Sequence, residues 1–500
     1  MSTDQHAVTV VGGGLAGMTA ALHLRQLGCA VELLEARAGL GGEAGSTLID
    51  GRWEDHGYHV FFPWYVNTFQ LHADLGITGN FRDSHRYYQL QPGDYPSFHR
   101  RWSGLSRELR LSDLRSGNLS GADQILYYYT LLDLASQRYE AAGSDESIGD
   151  FLRSRWYMTP AATGEMERLV KTSVITLDEH SARSMRRAMS FFTRHMSPLY
   201  RMPCAPLEHA FIAPFRRRLE ELGVRVRTGV QLDRVELAGD RVTALHLRTA
   251  EGAVRQPVGP AGPQGHGHDV VLAIPHHAVT GLAGSAELLE RAGLPPGAFQ
   301  ALRSEALASL HLYFDEPVPH LPRDHIRLVG SRYELTFVDI ARNYDDLKGS
   351  VLNFCLVPEE LVDREPEHVA RTVVAEVKRF IPTVDRSGVT HVVFQPNVDA
   401  PFYSNDTGSW DRRPDPATAL DNLWMAGDHV RSPIDIGGME NAVTTGLLAA
   451  DGVRAARRLA ATPVPVRYPK EVTPRQAAFV RALLTPVAML AKRTADRRAG

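Results

Sequence analysis

The sequence predicts an α/β fold built on a parallel sheet. Three observations carry this. A β-branched run near the N-terminus breaks into glycines. A second strand ends in an acid 18 residues after the last of those glycines, and a strand, a Gly-Asp turn and a helix recur near the far end.

Ala7-Val8-Thr9-Val10-Val11 reads as a buried parallel strand. Gly12-Gly13-Gly14-Leu15-Ala16-Gly17 follows at once, Met18 to Leu27 reads as a helix closed by Gly28, and Val31 to Glu35 as a second strand. In a turn of this kind Gly12 permits the tight bend and Gly14 lets backbone N–H groups approach a pyrophosphate. Gly17 lets the helix pack closely on the strand. The helix N-terminus that follows Leu15-Ala16-Gly17 offers unpaired donors and a positive dipole end to phosphate, with Leu15 and Ala16 among the expected cofactor contacts. Glu35 is placed to accept hydrogen bonds from a ribose diol. The context therefore predicts a Rossmann-type, three-layer dinucleotide-binding domain.

The continuation Glu35-Ala36-Arg37, then Gly41-Gly42, resembles the FAD fingerprint of the flavoprotein superfamily containing amine oxidases and carotenoid desaturases. The resemblance implies that Ala36, Arg37 and the paired glycines contact the cofactor's ribose and pyrophosphate. Where those flavoproteins carry Arg or Lys after the paired glycines, this chain has Glu43. Leu423 to His429 reads as a strand running into the Gly427-Asp428 turn, and Gly437-Gly438-Met439-Glu440-Asn441-Ala442 opens a helix running through Ala450. This block resembles the C-terminal FAD motif of the same superfamily, with Asn441 in place of a glycine. It implies Gly427 and Asp428 on the ribityl–pyrophosphate region, and Gly438, Met439 and Ala442 beside the flavin. The same resemblance puts the Val230 backbone on the adenine.

Between these blocks, Val224 to Val226 and Gln231 to Leu237 read as strands. Gly239-Asp240 turns the latter into Arg241 to Leu247, as a hairpin. Asp269 to Pro275 reads as another buried strand, ending at the proline, and the Gly/Pro-rich text from Thr249 to His268 reads as an exposed loop. Asp50 to Tyr65 carries Gly57-Tyr58-His59-Val60-Phe61-Phe62 and resembles zeta-carotene and phytoene desaturases, with hydroxysqualene dehydroxylase-like proteins sharing the pattern. Ser181 to Met185 and Arg413 to Asp428 support that branch. It implies Gly57, Tyr58 and His59 at the flavin, with Tyr58 and His59 as catalytic candidates. A structural role for His59 stands beside the catalytic one.

The implied activity is an FAD-dependent desaturase or dehydrogenase, passing hydride from a C–H bond of a hydrophobic polyene or isoprenoid-like substrate to flavin N5. A quinone or O2 would accept the electrons. Alternatives are an amine oxidase-like enzyme acting on a C–N bond, a non-redox flavin-dependent isomerase, and a lipid carrier. The carrier ranks last, because it would not need the ribose acid and the Gly-Asp turn. There is no Gly-x-Ser-x-Gly elbow, HExxH or Walker loop. Adjacent His276 and His277, read as strand, would point to opposite faces, so no shared metal is expected.

The 500 residues suit roughly two to four domain-sized units. The pattern predicts a discontinuous FAD-binding domain over 1–100, 206–280 and 415–460, and an α+β substrate-binding domain over 101–205 and 281–414. Helices are expected at Leu126 to Leu134 and Ile148 to Arg155, and strands at Ser309 to Phe314 and Ser350 to Phe354. A formal charge of −3 argues against nucleic-acid binding driven by overall charge. Cys29, Cys204 and Cys355 stand apart, which fits a reducing, cytoplasmic setting. Residues 461–500 read as a basic amphipathic helical tail. From Lys470 onward it holds seven Lys or Arg against two acids. Phe479, Val480, Leu483, Leu484, Val487 and Leu490 recur at helical spacing. Such a tail suits peripheral contact with an anionic membrane, or docking on its own domain.

Overall fold

The computed structural model describes residues 5–101, 119–139, 143–171, 175–195, 198–259, 267–356, 360–398 and 401–499. The glycine-flanked run forms strand Ala7–Val11 at the centre of a five-stranded sheet. Its neighbours are Ala30–Leu34 on one side and His268–Leu272 on the other, with Arg225–Arg227 and Leu423–Met425 at the edges. All pairings are parallel. Helix Leu15–Gln26 starts three residues earlier than its apolar text suggests, because Gly14 in extended conformation already releases the chain into the helix. A Cβ at Gly17 would come within 1.9 Å of Gly12 O, so only glycine lets this helix lie on its strand.

Gln231–Ala238 and Arg241–Thr249 pair antiparallel, as the hairpin signal required. The expected loop from Thr249 to His268 needs correction. Gly252–Pro257 is a third strand, paired to Arg241–Thr249. Its side chains are almost all exposed, so it lacks the apolar alternation by which a strand is read. Residues 260–266 of that stretch lie outside the described residues.

A seven-stranded sheet forms the second body, in the order 391–395, 308–314, 350–356, 336–339, 325–328, 87–90, 99–101. Ala308–Phe314 is buried at every position and pairs antiparallel with both Ser350–Leu356 and His391–Gln395. Helix Pro366–Lys378 covers this sheet through Val369, Val373 and Val377. Tyr87–Leu90 joins the sheet by parallel pairing with His325–Leu328. Strand pairing thus takes residues 87–101 away from the parallel sheet, although the expected boundary lay at residue 100.

Helices Gly121–Ser136, Ile148–Arg153 and Ala182–Arg194 start at Ser120, Ser147 and Ser181, whose hydroxyls accept from the backbone N–H groups of Asp123, Asp150 and Ser184. With Pro160–Lys171 they form a helical wall. The tail is one helix, Pro474–Ala499, with Pro486 inside it. No helix among the described residues is long and apolar enough to cross a membrane.

Asp269, fully buried, ties distant parts of the parallel sheet together. Its carboxylate accepts from His6 Nε2 at 2.5 Å, Trp424 Nε1 at 3.1 Å, and Arg457 Nε and Nη2 at 2.9 Å each. Burial alone would raise its pKa, but these partners prevail and hold it down at about 2. A depressed acid stabilises the fold above its unfolded pKa and loses that contribution as pH falls through the folded value. Asp269→Asn is expected to cost about 3 kcal/mol in urea unfolding at pH 7, from a broken buried charge network. The difference from wild type should shrink as pH falls from 4 toward 2.

Candidate active site

A cavity of about 1210 Å³ opens where the parallel sheet, the helical wall and the seven-stranded sheet meet. The glycine turn forms one end. Glu35 follows strand Ala30–Leu34, and its carboxylate accepts from Gly13 N and Arg37 N, each at 2.7 Å. Gly41 N donates to Gly13 O at 2.8 Å, which brings the paired glycines against the turn. Val230 N donates to Glu35 O at 2.8 Å, so a third segment is fixed beside the acid. These contacts leave the N-terminus of Leu15–Gln26 aimed into the cavity, with first-turn N–H groups that no helix can satisfy internally.

The Gly-Asp turn closes the opposite side. Arg413, fully buried, donates to the carbonyls of Asp428, His429 and Val430 at 2.8–3.2 Å and to Asp435 Oδ1 at 3.0 Å. Asn441 Nδ2 donates to Asp428 O at 2.6 Å and Val430 O at 2.9 Å. The departure from glycine at 441 therefore supplies a clamp on the turn. Glu440 ties the first turn of helix Met439–Arg457 to the start of Val66–Asp74, accepting from Asn67 N, Asn67 Nδ2, Thr68 N and Thr68 Oγ1. Sequence reasoning assigned no role to Arg413, Glu440 or the Asn441 side chain. Their visible signals were the Arg-Pro-Asp text at 413–415 and the departure from glycine at Asn441.

Of the expected cofactor residues, all but Gly17 and Gly57 line this cavity. Gly17 serves helix packing, as anticipated, and Gly57 lies against Cys355, whose Sγ would sit 3.1 Å from a Cβ there. Tyr58 turns toward the seven-stranded sheet, where its hydroxyl meets His325 Nε2 at 2.9 Å and Thr336 Oγ1 at 3.3 Å. Burial pushes its pKa well above the ordinary value. Burial also pushes His59 down to about 4, so its imidazole is neutral at pH 7. Its Nδ1 is buried and has no hydrogen-bond partner among the described residues, while the His56 ring stands edge-on 4.6 Å away. His276 and His277 sit on a short helix, His276–Thr280, and not on a strand as the sequence reading supposed. Pro275, extended, starts that helix.

Glu43 also lines the cavity. Burial and the nearby Asp428 push its carboxyl well above the ordinary range, against the pull of Arg37. The set suits a bound dinucleotide: a glycine turn and helix N-terminus for the pyrophosphate and an oriented acid for the ribose, with the buried His59 ring in the cavity lining.

Residues 15–454 match the model of the family described as flavin containing amine oxidoreductase. The chain is 24% identical over 474 residues to 15-cis-phytoene desaturase of Synechococcus elongatus, covering 90% of this chain and 96% of that one. It is 46% identical over 76 residues to zeta-carotene desaturase of Synechocystis sp., covering 15% of this chain and 16% of the other. Among solved structures, a putrescine oxidase bound to putrescine superposes with a TM-score of 0.66 at 16% identity, covering 90% of this chain and 99% of that one.

Glu43 gives the site a testable pH dependence. As pH rises, its raised carboxyl ionises beside Asp428 and adds negative charge to a cradle that must hold a pyrophosphate. FAD affinity is expected to fall as pH rises through the range in which this raised carboxyl ionises. Glu43→Gln should flatten the profile, read by fluorescence titration of apoprotein with FAD. Identical profiles for both proteins would refute the assignment.

Proposed function

Since the chain belongs to the flavin containing amine oxidoreductase family and is an FAD-dependent oxidoreductase, we propose that it dehydrogenates a hydrophobic polyene or isoprenoid-like substrate. The observation that carries this reading is the wall of the cavity beyond the cofactor residues. Leu131, Met185, Ala188, Met189, Phe192 and Leu199 line it. They come from helices Gly121–Ser136 and Ala182–Arg194 and the segment after them. A surface of this kind binds by burying apolar area and holds a C–H bond in place without charge.

Bound FAD supplies a two-electron acceptor for hydride. This chain's residues hold the geometry. The two helix N-termini orient the cofactor, and the apolar wall excludes water from the reacting bond. Tyr58, fixed by His325 and Thr336, forms part of the partition between cofactor and substrate. His59 is the catalytic candidate, a cavity-lining imidazole whose buried Nδ1 has no hydrogen-bond partner among the described residues. With a pKa near 4 it acts as a neutral hydrogen-bonding group and not as a strong base. A quinone or O2 is the electron acceptor in this reading. An amine substrate remains the second reading, favoured by the putrescine oxidase likeness in fold alone.

Anaerobic mixing of the holoenzyme with polyenes, isoprenoids and amines decides between them. Bleaching of the flavin band by a polyene or isoprenoid is expected, and bleaching by amines alone would overturn the proposal. His59→Ala should retain FAD and slow that bleaching by about tenfold to a hundredfold.

Membrane contact through 470–500 belongs to the same reading. Helix Pro474–Ala499 turns its small residues inward, with Ala477, Ala488, Ala491 and Ala495 buried. Outward it shows Phe479 and Leu490, each 67% exposed, and Leu483, with Arg475, Arg493 and Arg497 exposed along the helix. Large apolar groups facing out, with cations beside them, suit an anionic lipid surface. The protein is expected to float with phosphatidylglycerol-containing vesicles and much less with phosphatidylcholine alone. Replacing Phe479, Leu483 and Leu490 together by Ser should abolish flotation while leaving the flavin bound.

A further inference from the structure

We propose that the cavity ends in a carboxylate seat formed by Arg168 and Arg327, so that the substrate is an apolar chain terminating in a carboxylate. This deepens the reading above and rests on it for the identity of the chain being dehydrogenated.

The seat begins at Tyr58. Its partner His325 opens strand His325–Leu328, and Arg327 follows two residues later on the same face of that strand. That places Arg327 about 6.6 Å further along the cavity. Arg168 comes from helix Pro160–Lys171, with Glu165 one turn before it. Arg168, Arg327, Glu165 and Glu334 all line the cavity.

Glu165 aligns the two guanidinium groups. Its Oε2 accepts from Arg168 Nη1 at 2.8 Å and its Oε1 from Arg327 Nη1 at 3.3 Å. What remains is the informative part. The Arg327 side chain is only 8% exposed, and its Nη2 has no hydrogen-bond partner among the described residues. Arg327 Nη2 and Arg168 Nε both approach one atom, Glu334 Oε2, and both stop at 3.6 Å. That is too far for a hydrogen bond. Two donors therefore converge on a position where an acceptor oxygen belongs, and an internal carboxylate stands just short of it.

Glu334 suits the part of a displaceable stand-in. It lies in the turn between strands 325–328 and 336–339, with φ +53°, a conformation that residues other than glycine rarely adopt. Its side chain is 34% exposed, so it has water to move into. A substrate carboxylate that takes the place of the Glu334 carboxylate leaves the local charge unchanged, whereas a diphosphate adds to it. A hydrocarbon end would leave a buried N–H unsatisfied, and a cationic end would face two guanidinium groups.

The test titrates the anaerobic holoenzyme with geranylgeranoic acid, its methyl ester and geranylgeranyl diphosphate, reading the shift of the flavin absorption band. The acid is expected to bind about tenfold more tightly than the ester. Glu334→Gln should tighten the acid several-fold and leave the ester unchanged, whereas Arg168→Gln should erase the preference for the acid. Equal affinities for acid and ester, a diphosphate that outbinds the acid, or a Glu334→Gln effect common to acid and ester would each overturn the seat. An arginine-dependent acid preference without flavin reduction by any chain upholds the seat and overturns the dehydrogenation reading. Flavin reduction with no acid preference does the reverse.

Discussion

The structure depends on a backbone contact between two helices. A Cβ at Gly446 would lie 2.4 Å from Ala16 O, so helix Met439–Arg457 rests directly on the first turn of Leu15–Gln26. Gly17 in turn lets Leu15–Gln26 rest on the glycine turn below it. Two helices from opposite ends of the chain thus share one frame, with both N-termini facing one cavity. Helix dipoles fall off within a turn, so this convergence is useful only if it is close. Direct backbone contact makes it close.

Such a frame needs its loops held as firmly as its helices. Buried polar side chains do this by serving backbone groups. Arg413 and Asn441 satisfy the carbonyls of the Asp428 turn, and Glu440 satisfies N–H groups of the next helix over. Each is a charged or amide group whose burial is tolerated because its partners are complete. At the position after the paired glycines, where the resembled flavoproteins carry a cation, this chain has an acid, and the loops are held by backbone and these clamps. Glu43 occupies that position as a raised carboxyl instead.

Local physics explains how much of this was legible in the sequence. The glycine turn, the acid after the second strand, the hairpin and the Gly-Asp turn are short patterns with a local physical reason behind each. They appeared where expected, within a few residues. Strand Gly252–Pro257 was missed because its exposed side chains carry no alternation, and the His276–Thr280 helix because a proline after a strand reads as an end and not a start. Arg413, Glu440 and the arginine pair at 168 and 327 belong to another class. Apart from the local Arg168–Glu165 contact, their partners lie about fifteen to several hundred residues away, and a charged residue in a string gives no sign of what it will meet. Composition concealed them too, since a near-neutral total says nothing about where paired charges meet.

Helix Gly121–Ser136 joins the cavity to the outer surface. Tyr127, Tyr128 and Leu131 line the cavity. From the same helix Leu126 and Tyr129 pack with the buried alanines of Pro474–Ala499, Tyr129 shares a hydrogen bond with Thr485 at 2.9 Å, and Asp133 takes the Arg481 guanidinium. One helix, about 10 Å across, therefore separates the apolar wall of the cavity from the helix that turns its large apolar residues outward. A chain with a polar end and an apolar body is the kind of molecule that lies in a bilayer surface. An apolar outer helix, an apolar inner wall and a charged inner end, ranged on either side of one helix, match the two halves of such a molecule in turn.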